Sequence, residues 1–67
     1  MNEYLRTRAL QFFNEKGVIR SFVARKLGIP KQMLSAFLLG EGKLKADVQY
    51  ELDQLIDSYY YLPIKEA

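Results

Sequence analysis

An all-α fold is what this chain predicts, and three observations predict it. Apolar residues recur at helical spacing in four separate stretches. The connections between them are short and marked by Gly17, Gly28, Pro30 and Gly40-Glu41-Gly42. Nothing in the chain resembles a sheet. With connections this short, neighbouring helices pack at steep or antiparallel angles.

The first stretch, about residues 3–16, sets Leu5, Ala9, Phe12 and Phe13 on one side with Leu10 beside them, and Arg6, Arg8, Gln11 and Glu15 on the other. Gly17 ends it, just after a cation in the last turn. The second runs from about Ile19 to Leu27, turns Phe22, Val23 and Leu27 inward, and stops at Gly28. Its start is weakly marked, because Ile19 has no side-chain oxygen to cap a backbone N–H. The third begins at Pro30, a residue suited to the first helical position, and its apolar stripe is Leu34, Phe37 and Leu38. The fourth, from Lys45 or Ala46 to near Tyr59, buries Val48, Leu52, Leu55, Ile56 and Tyr59, with Asp47 favoured by the helix dipole in its first turn. Pro63 stops whatever follows.

Sixty-seven residues, 49% hydrophobic and 27% charged, make one globular domain spanning 1–67. A chain of this size buries at most about 60% of its unfolded surface, so small domains lean on disulfides, metals, partners or very regular helix packing. Cysteine and histidine are both absent, which excludes disulfides and removes the usual zinc ligands. No metal or other cofactor is expected. Acid–base chemistry would fall to Asp, Glu, Lys or Tyr, and a chain this small builds no deep pocket to tune them, so neither an enzyme nor a small-molecule substrate is expected. No stretch approaches the roughly 18 to 20 apolar residues of a bilayer span, and the opening Met1-Asn2-Glu3-Tyr4 is unlike a secretory signal. A cytoplasmic location without membrane contact is the expectation.

The net charge of +2 conceals an asymmetry. Residues 1–45 carry nine basic and three acidic side chains, +6, whereas residues 46–67 carry one basic and five acidic, −4. The first part suits a polyanion and the second is repelled by one.

Residues 20–39 carry the most specific pattern. Ala24, Gly28 and Leu34 are spaced four and then six apart, with Val23, Leu27, Ile29 and Phe37 around them. A small Ala24 lets a second helix cross close to the first, Gly28 supplies positive φ for a tight corner, and Ile29 plugs that corner. Leu34 and Phe37 seat the second helix. From Phe22-Val23-Ala24-Arg25-Lys26-Leu27-Gly28-Ile29-Pro30 through Lys31-Gln32-Met33-Leu34-Ser35-Ala36-Phe37-Leu38-Leu39-Gly40, the chain resembles the lambda-repressor and Cro-like helix-turn-helix family of phage and prokaryotic regulators. That family also has one helix before this unit and at least one after it, so the likeness covers about residues 4–57. It implies a compact four- to five-helix domain with the helix-turn-helix at about residues 20–39. Three positions depart from the family pattern: Ile19 stands where a polar cap is usual, Phe22 where a polar or long residue is, and Leu39 where a polar phosphate-facing residue is frequent.

The resemblance implies a sequence-specific regulator that binds double-stranded DNA and acts by occupying its operator, in a bacterial cell or a phage-infected host. If Leu34, Phe37 and Leu38 point inward, Lys31, Gln32, Ser35, Ala36 and Leu39 point outward, on the helix that meets base edges in the major groove in such a motif. Gln32 suits adenine, Lys31 guanine or a phosphate, and Ala36 a thymine methyl, while Ser35 is permissive. Arg20, Arg25, Lys26, Lys43 and Lys45 are the expected phosphate contacts, with Arg6 and Arg8 further back. One such helix reads few base pairs, so a homodimer on half-sites about 34 Å apart is expected. Phe22, Leu39, Tyr59, Tyr60, Tyr61, Leu62 and Ile64 are the candidates for an interface, with 59–67 as a tail or dimerisation segment. The competing expectation is an adaptor or antirepressor that keeps the fold but engages another protein through Phe22, Leu39 or the tyrosine cluster.

Overall fold

A computed structural model describes the backbone of residues 3–61 and the side chains of residues 3–60. The described residues form four helices: α1 (Glu3–Lys16), α2 (Arg20–Leu27), α3 (Lys31–Leu38) and α4 (Ala46–Tyr61). The all-α class is therefore observed, with no strand among the described residues. None of these helices is long and apolar enough to cross a membrane.

One apolar cluster holds the four together. α1 contributes Leu5, Ala9, Phe12 and Phe13, α2 contributes Val23, Ala24 and Leu27, α3 contributes Leu34, Phe37 and Leu38, and α4 contributes Leu52 and Ile56. No polar or charged side chain is buried among the described residues, so no desolvated group weakens this small core. Phe12 sits at its centre, meeting Phe13 edge-on at 5.2 Å between ring centroids and Tyr59 at 5.0 Å. α2 packs chiefly on α3, and α1 packs on both α3 and α4.

The corner between α2 and α3 follows from local chemistry. Gly28 adopts φ 72° and donates its N–H to the Arg25 carbonyl at 3.2 Å, while the Ile29 N–H reaches the Ala24 carbonyl at 3.0 Å. This pair of bonds closes a helix on a left-handed residue, a conformation open to glycine at no Cβ penalty. Pro30, at φ −64° and ψ 145°, then launches α3. It stands just outside the helix rather than at the first helical position, and its carbonyl accepts from the N–H groups of Met33 and Leu34.

Several expectations need correction. Leu10 is 36% exposed, because the stripe through Leu5, Ala9 and Phe12 leaves it on the flank. Phe22, Val48 and Leu55 are half-buried against the cluster rather than inside it. Tyr59 is 40% exposed, its ring packed T-shaped with Phe12. Residues 59–61, expected in a tail, continue α4, since Tyr59 and Tyr60 are held against α1. Leu62 and Ile64 lie outside the described residues, as does the side chain of Tyr61. One core residue stands outside the four amphipathic stripes: Leu44, in the segment between α3 and α4, is 4% exposed.

Candidate nucleic-acid interface

α3 turns one face outward and buries the other. Its anchors Leu34, Phe37 and Leu38 are buried, and Lys31, Gln32 and Met33 are exposed. Lys31, Gln32, Ser35, Ala36, Leu39 and Glu41 line one shallow concavity. All four expected base-contact residues therefore share it, although Ser35 and Ala36 are half-buried at its edges. Leu39, expected outward on this helix and as an interface candidate, is 67% exposed and lies seven residues, two helical turns, beyond Gln32 on the same face. Glu41 is the acidic member.

The end of α3 is fixed in three ways. The Gly40 N–H bonds to the Phe37 carbonyl at 3.0 Å, and the N–H groups of Glu41 and Gly42 both reach the Ala36 carbonyl, at 2.9 and 3.1 Å. A Cβ placed on Gly42 would lie 2.9 Å from that of Ala36, so only glycine lets the loop lie on this helix. From α1, Arg6 donates Nη1 to the Leu38 carbonyl at 3.2 Å, satisfying one of the carbonyls a helix end leaves open. Its Nη2 pairs with Glu3 at 2.6 Å. Arg6 is thus a clamp on α3 and not a free cation.

Arg8 is likewise committed. It donates to Asp53 and Asp57 on α4, bridging the two helices. The hydrogen bond it donates to Asp57 raises its pKa, so its charge is secure. The positive surplus of the first 45 residues is therefore partly spent inside the molecule, and the acidity of α4 is partly neutralised there.

The expected phosphate-binding residues divide by position. Arg20 and Lys31 line a common cleft with Phe13, Val18, Ile19 and Ser21, where the N-termini of α2 and α3 approach each other. Neither helix has a side-chain cap there, and the Arg20 guanidinium lies 5.8 Å from the Phe13 ring centroid. Arg25 is exposed and follows Ser21 by four residues, on the same flank of α2. Lys26 is elsewhere. It lines the groove towards α4 with Leu27, Glu51, Gln54 and Leu55, and its Nζ lies 5.6 Å from the Phe22 ring. One residue's difference in helical phase, 100°, separates it from Arg25.

Lys43 and Lys45 are exposed on either side of buried Leu44. Gln49 donates its side-chain amide to the Leu44 carbonyl at 2.7 Å, so the loop is pinned by a leucine while both lysines face solvent. The alternation Lys43-Leu44-Lys45 was the available signal for this anchor.

The tyrosine cluster is largely occupied with α1. Tyr60 donates its hydroxyl to Glu15 at 2.7 Å, and Lys16 lies 4.6 Å from its ring centroid. The hydrogen bond to Glu15 raises the Tyr60 pKa. Glu15 is lowered, first by the hydrogen bond from Gln11 and then by that from Tyr60. No group of three or more carboxylates able to hold a metal ion gathers among the described residues. Comparison of the chain with known protein families, with characterised proteins and with solved structures finds no match.

Proposed function

We propose that this chain is a sequence-specific regulator of the lambda-repressor and Cro-like helix-turn-helix kind, which binds double-stranded DNA with α3 in the major groove and acts by occupying its site. One observation carries the reading: α3 is held from behind by Leu34, Phe37 and Leu38, and presents Lys31 and Gln32 with Ser35, Ala36 and Leu39 on one open face. Gln32, central on that face, pairs with adenine, and Lys31 with guanine or a phosphate. Arg20 and Lys31 meet the backbone where two helix N-termini converge, an arrangement that favours anions. Lys43 and Lys45 follow the strand along the loop that leaves α3. Arg25 is a further phosphate contact, whereas Lys26 faces away and is not. Binding alone performs the task in the cytoplasm, without chemistry or cofactor, and a homodimer on two half-sites supplies the specificity that one helix lacks.

Selection of duplexes from a random pool, followed by salt titration, tests this. The expected result is a preferred sequence and a steep log–log salt dependence, whose slope drops by about 0.9 for each phosphate-binding cation replaced by alanine. Gln32→Ala should lose about 1–3 kcal/mol of discrimination at particular bases, and Lys43→Ala should weaken all sequences alike. Selectivity untouched by Gln32→Ala refutes the base-reading assignment. The 67% exposure of Leu39 on this same face favours a second reading, an adaptor that engages another protein here. A protein with that role shows neither a salt slope nor a preferred duplex.

A further inference from the structure

We infer that Glu41 reads a cytosine at the edge of the site and at the same time weakens binding to every other sequence. This rests on the DNA-binding reading above and assigns a residue that reading does not use. Glu41 is exposed, lines the concavity that holds Gln32, Ser35 and Leu39, and is set in place by the bond from its N–H to the Ala36 carbonyl at 2.9 Å. Among the described residues its carboxylate makes no ion pair and no side-chain hydrogen bond, although Lys31 lines the same hollow. An uncompensated carboxylate on a face that docks onto a polyanion is repelled wherever it meets a phosphate.

Only a hydrogen-bond donor rewards a carboxylate in the major groove. Guanine and thymine offer it acceptors alone, and adenine sets its N7 acceptor beside the N6 donor. Cytosine offers its N4 amine with no acceptor beside it on the same base. Glu41 therefore selects cytosine, rejects guanine and thymine by repulsion, and reduces the affinity for random duplex that Arg20, Lys43 and Lys45 supply. This is specificity through an unfavourable contact with the wrong partner.

The experiment compares the wild type with Glu41→Ala, Glu41→Gln and Gln32→Ala by selection from a random pool and by affinity for a random duplex. The side chain is exposed, so thermal melting of both Glu41 variants should match the wild type. The wild type should select cytosine at a position distinct from that relaxed by Gln32→Ala. Glu41→Ala should lose at least about fivefold discrimination there while binding random duplex about twofold more tightly. Glu41→Gln should move the preference from cytosine to adenine, which an amide matches with both of its groups. If Gln32→Ala relaxes one position while both Glu41 variants select the wild-type sequence, the inference fails and the DNA-binding reading survives. A weaker grip of Glu41→Ala on random duplex also overturns it. A wild type with no preferred duplex overturns both.

Discussion

Arg6 ties the first helix to the end of the third, and Arg6→Met isolates that tie. Methionine keeps an unbranched stem of similar length and removes the guanidinium. Two interactions go with it. The ion pair to Glu3 joins a residue 63% exposed at i,i+3 spacing and contributes about 0.3–0.5 kcal/mol. The bond to the Leu38 carbonyl is charge-assisted and partly buried, with Arg6 25% exposed, so its contribution is about 1–2 kcal/mol after allowing for solvent. For a domain of this size each kcal/mol moves the midpoint by about 4–8 °C. Arg6→Met should therefore melt roughly 5–20 °C lower, whereas Glu3→Gln should lose no more than about 4 °C. Circular dichroism measures the melting. Hydrogen exchange adds a local readout, since the N–H groups of Glu41 and Gly42, both bonded to the Ala36 carbonyl, should exchange faster when the clamp is gone. Equal melting of the two variants would mean that the carbonyl bond contributes nothing, and the account of how α3 is held would be wrong.

Other outcomes are equally specific. Gly42→Ala puts a methyl 2.9 Å from Ala36 and should cost about 1–3 kcal/mol in urea unfolding; Ala36→Gly in the same chain should recover part of that loss, and strictly additive effects would refute the contact. The Glu15–Tyr60 contact should stabilise within a defined pH window. Glu15 has a lowered folded pKa, so its contribution is present above the ordinary value of about 4.3 and is lost as pH falls through the lowered one. Tyr60 has a raised folded pKa, so its contribution is present below about pH 10 and is lost as pH rises through the raised one. The melting difference between wild type and Tyr60→Phe should be flat between these limits and shrink beyond both; a difference that stays constant as pH falls below the first and rises above the second contradicts the bond.

The four helices were legible because amphipathic spacing and glycine punctuation act locally. Leu5, Ala9, Phe12 and Phe13 repeat on one helical face, and Gly28 is needed wherever a short corner must turn left-handed. The members of the α3 face were legible for the same reason, since helical phase alone sets Gln32 opposite the stripe of Leu34, Phe37 and Leu38 and groups Ser35, Ala36 and Leu39 with it. Which cations stay free was not. Arg6, Arg8, Arg20 and Lys26 are alike as letters, yet one caps α3, one bridges to Asp53 and Asp57, one lines the cleft between two helix ends and one faces α4.

What the amino-acid order determined by itself is the all-helical class, the corner at Gly28 and the outward edge of α3, since these depend on torsional preference and periodicity over a few residues. Only the packed molecule decided that Leu44 is buried between Lys43 and Lys45, that Glu41 shares a surface with Gln32, and that Tyr59 and Tyr60 lie along α1. Each of those facts requires residues from different elements to meet. Such encounters follow from how the helices fill one core, which short-range spacing does not encode.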